Sequence, residues 1–240
     1  MPTLGIKLDS VTWMREGKRE RDPDPAQAAV LAEQGGADAI VAHLGSSRRH
    51  VRDRDIYILK EIVKTRLAVE IPADNQLLSI ALEVNPAQVT IVSENRVDPT
   101  GAETLDYSAN FEKISEVSER LRSAGISVSH FIQPNGEDTK NAARCKADYV
   151  QLSTVGYSSA GTAKEAEAEL DDIERISQLA HKFNMGVTCG GGITYANVTQ
   201  CAELNLVQHI IVGRAVIKRA LMLGMERAVK LMRDELTRKL

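Results

Sequence analysis

The chain has 240 residues, 43% of them hydrophobic and 26% charged, which suits a globular protein made of one α/β barrel or two ordinary domains. Its formal net charge of −3 excludes a general attraction to nucleic acid or to an anionic membrane. No apolar run approaches the ~20 residues of a membrane span. Lys7 and Asp9 interrupt the first apolar segment, unlike in a signal peptide. We therefore expect a cytoplasmic protein that binds neither nucleic acid nor membrane.

Cysteine usage bears on redox state and metal binding. The three cysteines, Cys145, Cys189 and Cys201, include no CxxC pair, and the sequence has no HExxH motif. This pattern favours reduced thiols over a disulfide framework or a structural zinc. We expect neither a metal nor a cofactor.

Apolar segments with strand-like spacing alternate with segments of helical periodicity along the chain. The predicted strands cover residues 4–9, 39–43, 67–71, 89–92, 127–132, 149–153, a short segment around 187, and 210–212. The predicted helices cover residues 26–34, 56–63, 77–84, 109–123, 138–145, 165–183, a segment from about 195, and 216–236. A long charged loop is predicted between the first strand and residue 25. Eight strand-helix units predict one (β/α)8 TIM barrel over residues 1–240, with parallel strands and the site at their carboxyl ends.

Two successive strand-to-helix turns are rich in glycine. One contains Gly191 and Gly192, and the next contains Gly213 followed by Arg214. Glycine lets the backbone approach a ligand closely, and a helix N-terminus favours an anion. We predict that these two turns bind a phosphate group. The alternative is that the glycines only permit tight turns.

Polar side chains stand at the carboxyl ends of four predicted strands: Lys7, Asp9, His43, Glu70, Gln151 and Ser153. Of these, His43 and Glu70 could transfer protons to and from a carbonyl substrate. The alternative is that His43 caps its strand and Glu70 neutralises an arginine.

A basic loop follows the second strand. Its cationic residues are Arg48, Arg49, His50, Arg52 and Arg54. Guanidinium groups bind phosphate oxygens in pairs, so the loop could clamp a second phosphate. Alternatively, its charges form a solvated surface with the interleaved Asp53 and Asp55.

The run DPDPAQAAVLAEQGGADAIVAHLGSSRRHVRDRDIYILKEIV, residues 22–63, closely resembles the pyridoxine 5'-phosphate synthase family. The resemblance continues through VEI at Glu70, Thr100, LD at 105–106, AGISVSHFI, GGGITYANV and VGRAV, and so covers nearly the whole chain. That family condenses 1-deoxy-D-xylulose 5-phosphate with 3-amino-1-hydroxyacetone 1-phosphate, losing water and phosphate, without a metal. Its members assemble as octamers. The resemblance therefore implies a transferase-type synthase of small phosphorylated metabolites that forms a homo-oligomer.

The resemblance also implies roles for individual residues. His43 and Glu70 match acid/base residues of the family. The positions matching substrate-binding residues are Asp9, His50 and Thr100, with Lys18 in place of an arginine. The positions implied at the phosphate are Gly192 and, from a Gly-His pair, His209.

Several polar positions depart from the family pattern. They are Lys7 for asparagine, Ser10 for histidine, Gly45 for arginine, Gln151 and Ser153 for glutamate and histidine, and Gly191 for a proton-donating histidine. Glycine cannot donate a proton, so the family mechanism cannot run unchanged. One hypothesis is an enzyme with an altered substrate or step, in which Lys7 forms a salt bridge to Asp9 or Glu70, or a Schiff base with a ketone. The other is a non-catalytic sensor or carrier of a phosphorylated ligand.

Overall fold

The computed structural model describes residues 1–15, 20–94 and 103–238, in which eight parallel strands form a closed barrel. The strands are β1 (Thr3–Lys7), β2 (Ala39–His43), β3 (Arg66–Pro72), β4 (Gln88–Val92), β5 (Ser127–Ile132), β6 (Tyr149–Ser153), β7 (Gly186–Gly190) and β8 (Val207–Val212). Each strand pairs with its neighbours in sequence. The barrel closes where Ile6 of β1 pairs with Ile40 on one side and Val212 on the other. The predicted (β/α)8 barrel is confirmed.

Helices follow the strands and cover the outside of the barrel. In the described chain they are α1 (Asp9–Thr12), α2 (Pro25–Gln34), α3 (Asp53–Ile62), α4 (Asn75–Val84), α5 (Tyr107–Ser123), α6 (Gly136–Arg144), α7 (Val155–Ser159), α8 (Ala163–Lys182), α9 (Val198–Ala202), α10 (Arg214–Leu223) and α11 (Met225–Thr237). No helix within these described ranges is long and apolar enough to cross a membrane.

Capping side chains fix where several helices begin. Asp74 accepts hydrogen bonds from the backbone N–H groups of Gln76 and Leu77 at the start of α4. Thr162 and Glu165 form a reciprocal capping box at the start of α8. Such caps satisfy backbone donors that have no partner within the helix.

The core consists of apolar strand residues packed against the inner faces of the helices. Residues 67–72 of β3, for example, are buried without interruption, because a parallel strand in a barrel is covered on both faces. The barrel therefore holds the carboxyl ends of its strands in a rigid ring. The loops after the strands meet at one mouth of the barrel.

The structure differs from several predicted elements. The first strand, predicted over 4–9, ends at Lys7, and Asp9 begins α1; the last strand, predicted over 210–212, begins at Val207.

The predicted first loop contains α1, and the segment after β6 contains α7. Both helices are too short to give a periodic pattern. The helix predicted from about residue 195 begins at Val198. The helix predicted over 216–236 is two helices separated at Gly224, whose φ of +79° interrupts helical geometry.

Candidate active site

A cavity of about 380 Å³ opens at the carboxyl ends of the strands. Its lining contains eight residues that the sequence nominated: Lys7, Asp9, Glu70, Gln151, Gly191, Gly192, Gly213 and Arg214. His43 does not line it. The barrel topology thus brings together residues up to 207 positions apart, from Lys7 to Arg214.

Strand register positions a buried charge cluster at the base of this cavity. Lys7 is the last residue of β1, while His43 and Glu70 are direct partners in the pairing of β2 with β3. Lys7 Nζ lies 2.5 Å from Glu70 Oε2 and 3.0 Å from Asp9 Oδ2. Lys7 is only 8% exposed, and Glu70 is fully buried. The ammonium therefore offsets part of the cost of burying two carboxylates.

His43 joins the same cluster through its ring and its backbone. Its Nδ1 atom lies 3.8 Å from Glu70 Oε2, and its backbone N–H donates a 2.8 Å hydrogen bond to Asp9 Oδ1. Asp9 thus connects the end of β2 to Lys7. A histidine, a carboxylate and an amine at these separations can exchange protons with one bound carbonyl compound.

The two glycine-rich turns form one wall of the cavity, which we call the glycine wall. Gly191 and Gly192 have φ values of +112° and +73°, which side chains rarely adopt. A Cβ atom at Gly192 would lie 1.9 Å from Ser158 Oγ, so a side chain does not fit there. The two glycines therefore have both a conformational and a steric reason to be glycine.

The second of these turns leads into α10, whose start belongs to the same wall. Gly213 is its N-cap residue and contributes no capping side chain. Arg214 and Lys218 stand one turn apart on α10 and both line the cavity. Two cations beside a helix N-terminus give this wall the electrostatics of an anion site. Lys218 was missed from the sequence, although it lies four residues after Arg214.

A polar side chain from β6 faces the charge cluster. Gln151 lines the cavity and is only 3% exposed. Within the described part of the chain, its Oε1 atom has no hydrogen-bond partner. A buried acceptor costs about 1–3 kcal/mol when unsatisfied, so this position is suited to a hydroxyl or amine donor on a bound molecule. Ser153, two residues further along, is also buried but does not line the cavity.

One arginine of the basic loop pairs with a carboxylate of the same loop, and the neighbouring Asp55 pairs with Arg15. Arg48 Nε lies 2.9 Å from Asp53 Oδ1, and Arg15 Nη1 lies 2.8 Å from the buried Asp55 Oδ2. His50 packs its ring against Trp13, with 5.1 Å between ring centroids, and does not line the cavity. These contacts favour the interpretation of local pairing over a phosphate clamp.

His209 does not belong to the glycine wall, which corrects the role implied by the family resemblance. It lies within β8, opposite Thr3 at the start of β1, and its Nδ1 atom is 2.6 Å from Thr3 Oγ1. This is the amino-terminal end of the barrel. Gly213 follows the other end of the same strand, so His209 cannot share a site with Gly213. Burial, with a smaller effect of Arg66, lowers the pKa of His209 to about 4.

Two nominated substrate-binding residues, Lys18 and Thr100, lie outside the described residues. Gly45 follows β2. A Cβ atom built at Gly45 would meet the ring of His43, the last residue of that strand. Ser10 lines the cavity beside Asp9. Among the described residues, no group of three or more His, Cys, Asp or Glu side chains is arranged to hold a metal ion.

Comparison with known proteins identifies close relatives. A family model described as pyridoxal phosphate biosynthesis protein PdxJ matches residues 4–238. The pyridoxine 5'-phosphate synthase of Geotalea uraniireducens is 38% identical over 234 residues, which is 98% of this chain and 98% of that protein. The enzyme of the same name from Crocosphaera subtropica is 40% identical over 233 residues, or 97% of each.

Solved structures with the same architecture are more distant in sequence. KGPDC from Streptococcus mutans has a TM-score of 0.65 and 12% identity, covering 98% of this chain and 97% of that one. Thiamine phosphate pyrophosphorylase from Pyrococcus furiosus has a TM-score of 0.63 and 17% identity, covering 98% and 95%. At these identities the likeness shows a shared barrel fold alone.

Proposed function

Because the chain belongs to the PdxJ family of pyridoxal phosphate biosynthesis proteins, whose relatives are named pyridoxine 5'-phosphate synthase, we propose that it is a cytoplasmic condensing enzyme of the transferase type. It joins a phosphorylated ketone to a phosphorylated amino ketone. The family pair, 1-deoxy-D-xylulose 5-phosphate and 3-amino-1-hydroxyacetone 1-phosphate, is the starting point, and at least one step differs from the family reaction.

One observation carries this proposal. A single cavity combines Lys7 and the buried Glu70 with an anion-favouring wall at Gly192 and Arg214. His43 does not line this cavity, but its Nδ1 atom lies 3.8 Å from Glu70 Oε2. A phosphate held at the wall leaves the carbon chain of a ketose directed toward the cluster. A binding protein for phosphate esters would need the wall but not the buried acid/base groups, whose desolvation is costly.

The roles of the residues follow from their chemistry. Gly191, Gly192 and Gly213 allow backbone N–H groups to approach the phosphate, and Arg214 supplies a guanidinium donor. His43 and Glu70 add and remove protons at the carbon atoms next to the carbonyl group during enolisation and dehydration. Asp9 orients the end of β2 through the His43 backbone.

The departure at Gly191 affects the rate. Loss of one general acid or base commonly reduces a rate by ~10²–10⁴-fold, and Gly191 has no proton to replace the family's histidine. We therefore expect the reaction of the two family substrates to be slow. A different pair of phosphorylated substrates that suits this site better would react faster.

The test is incubation of the pure protein with the two family substrates, followed by detection of pyridoxine 5'-phosphate by mass spectrometry. Slow product formation that disappears in a His43→Ala, Glu70→Ala double variant supports the proposal. Binding of both phosphates without product would assign the chain to the class of sensors or carriers. Turnover at the full rate of a family member assayed in parallel would show that the departures have no catalytic consequence.

A further inference from the structure

We propose that Lys7 is a covalent catalytic residue, which forms a Schiff base with the ketone carbon of a phosphorylated ketose. This inference rests on the proposed function, because it assigns the ketone of that reaction to a specific amine. It concerns a residue by which this chain differs from its family, where the resemblance implies an asparagine.

The position of Lys7 suits an attack on a ligand bound at the glycine wall. β1 and β8 are neighbours, and a Cβ atom built at Gly213 would lie only 3.3 Å from Lys7 Cβ. The lysine stem therefore starts beside the N-terminus of α10. Its Nζ atom ends in the cavity, between Asp9 and Glu70. A ketose phosphate anchored at Arg214 would present its carbonyl group to an amine that is already held in place.

The neighbouring carboxylate provides the proton acceptor that this chemistry needs. Glu70 Oε2, at 2.5 Å from Nζ, is close enough to take a proton from the ammonium and leave a neutral amine. The amine adds to the ketone carbon, and the carbonyl oxygen receives the proton from Glu70. The carbinolamine then loses that oxygen as water, with a second proton that comes from the nitrogen. Overall, ammonium and ketone give a protonated imine and one water molecule.

Charge balance in the cluster is preserved through the covalent step. Lys7 faces two carboxylates, Asp9 and Glu70, within 3.0 Å. The protonated imine carries the same single positive charge as the ammonium, so both carboxylates keep their cationic partner in a buried site. Gln151 lines the same cavity, and its Oε1 atom, unpartnered among the described residues, can accept a hydrogen bond from a hydroxyl group of the bound ketose.

The imine would also speed the condensation with the second substrate. The amino group of the amino ketone adds to the protonated imine, and the Lys7 amine leaves as the new imine forms between the two substrates. No oxidant or reductant is needed, and Lys7 returns to its starting state. A chain without the family's proton-donating histidine thereby gains another route to the substrate imine.

The test is reductive trapping. The wild-type protein is treated with 1-deoxy-D-xylulose 5-phosphate and sodium borohydride, digested, and mapped by mass spectrometry. We expect the peptide containing Lys7 to gain the mass of the ketose phosphate less one oxygen. The same treatment with unphosphorylated 1-deoxy-D-xylulose should give much less adduct. No adduct on Lys7 in the wild-type protein at saturating ketose phosphate would overturn the proposal.

Two variants separate the covalent role from an ion-pair role. Lys7→Arg keeps the positive charge between Asp9 and Glu70 but cannot form an imine, while Lys7→Asn introduces the residue that the family resemblance implies. We expect both to lose the adduct, and Lys7→Arg to lose product formation as well. Product formation by Lys7→Arg at the wild-type rate would contradict the covalent role, even if an adduct can be trapped.

Measuring pyridoxine 5'-phosphate in parallel samples of the same proteins, incubated with both substrates and without borohydride, distinguishes the two proposals. Product without an adduct in the wild-type protein would reject the role of Lys7 and leave the proposed function standing. An adduct without product would support Lys7 as the ketone-binding amine and reject the condensation with this amino ketone.

Discussion

Lys7 Nζ and Glu70 Oε2 lie 2.5 Å apart in the mouth of the barrel, with Glu70 fully buried. The two residues come from β1 and β3, which are not neighbours, so the ion pair spans the strand between them. The strand between them is β2, whose last residue is His43, so the ion pair crosses the end of β2. The contact connects the stability of the barrel mouth to its chemistry.

Replacing Glu70 should reduce both stability and activity. Glu70→Gln removes the carboxylate nearest to Lys7, and removing one partner of a buried ion pair typically costs about 3–5 kcal/mol. We expect a loss of stability of about 3 kcal/mol in urea unfolding and a reduction in turnover of ~10²-fold or more. Glu94→Gln is the control, because Glu94 pairs with Lys113 at 3.9 Å on the surface. Equal stability of the two variants would contradict the structural role of Glu70.

Gly192 offers a test of anion binding at the glycine wall, with a matched control. Gly192→Ala and Gly125→Ala both place a side chain at a similar positive φ, +73° and +79°. Only the alanine at 192 would meet another atom, Ser158 Oγ. We expect backbone strain to cost both variants about 1 kcal/mol of stability, and Gly192→Ala to lose more because its side chain also meets Ser158. Only Gly192→Ala should weaken binding of 1-deoxy-D-xylulose 5-phosphate, by about 1 kcal/mol or more in calorimetry. Unchanged affinity would remove the phosphate from this wall.

His130 should make the protein less stable in acid. It is fully buried between the hydroxyl groups of Tyr107 and Ser118, and burial lowers its pKa to about 3. The unfolded chain, with a pKa near 6.5, therefore binds a proton between pH 6.5 and 3 that the folded chain does not. Stability is fully present above about pH 6.5 and falls by about 1.4 kcal/mol per pH unit below it.

The measurement is urea unfolding at pH 7, 6 and 5. His130→Gln should unfold with a shallower acid dependence than the wild type, whereas replacement of the exposed His181 by glutamine should leave the dependence unchanged. Parallel curves for all three proteins would show that His130 titrates normally.

We also predict that the chain forms a homo-oligomer, for which the family resemblance implies an octamer. Large apolar side chains on α10 are exposed, with Leu221 at 65% and Met222 at 83%. Exposed apolar groups of this size commonly belong to protein interfaces. Light scattering should give a multiple of the chain mass, reduced in a Leu221→Glu, Met222→Glu variant and unchanged in Glu119→Lys. A wild-type monomer at micromolar concentration would reject this prediction.

The sequence predicted the barrel because its strands and helices alternate with distinct periodicities, and the predicted bounds of β2, β5 and β6 agree with the structure. It also located Lys7, His43 and Glu70 at one mouth, because parallel strands share a direction. Pair geometry was less accessible. Nothing in the spacing distinguished a contact of Lys7 with Asp9 from one with Glu70, and the structure has both.

The errors at His209 and α10 have different physical causes. His209 was assigned by analogy across a loop of altered length, although its place before a predicted strand already opposed that role. Lys218 was missed because it lines the cavity from the second turn of α10. The direction of a side chain on a helix is known only once the position of the helix is known. Side chains that reach a site from within a helix are harder to recognise than those at strand ends.

Release of inorganic phosphate shows whether this cavity condenses two phosphorylated substrates. Ring closure in the family reaction releases one phosphate for each product molecule. We predict that phosphate appears only when 1-deoxy-D-xylulose 5-phosphate and 3-amino-1-hydroxyacetone 1-phosphate are both present, in step with pyridoxine 5'-phosphate. No phosphate release from the pair, although each compound binds the protein, would contradict the claim.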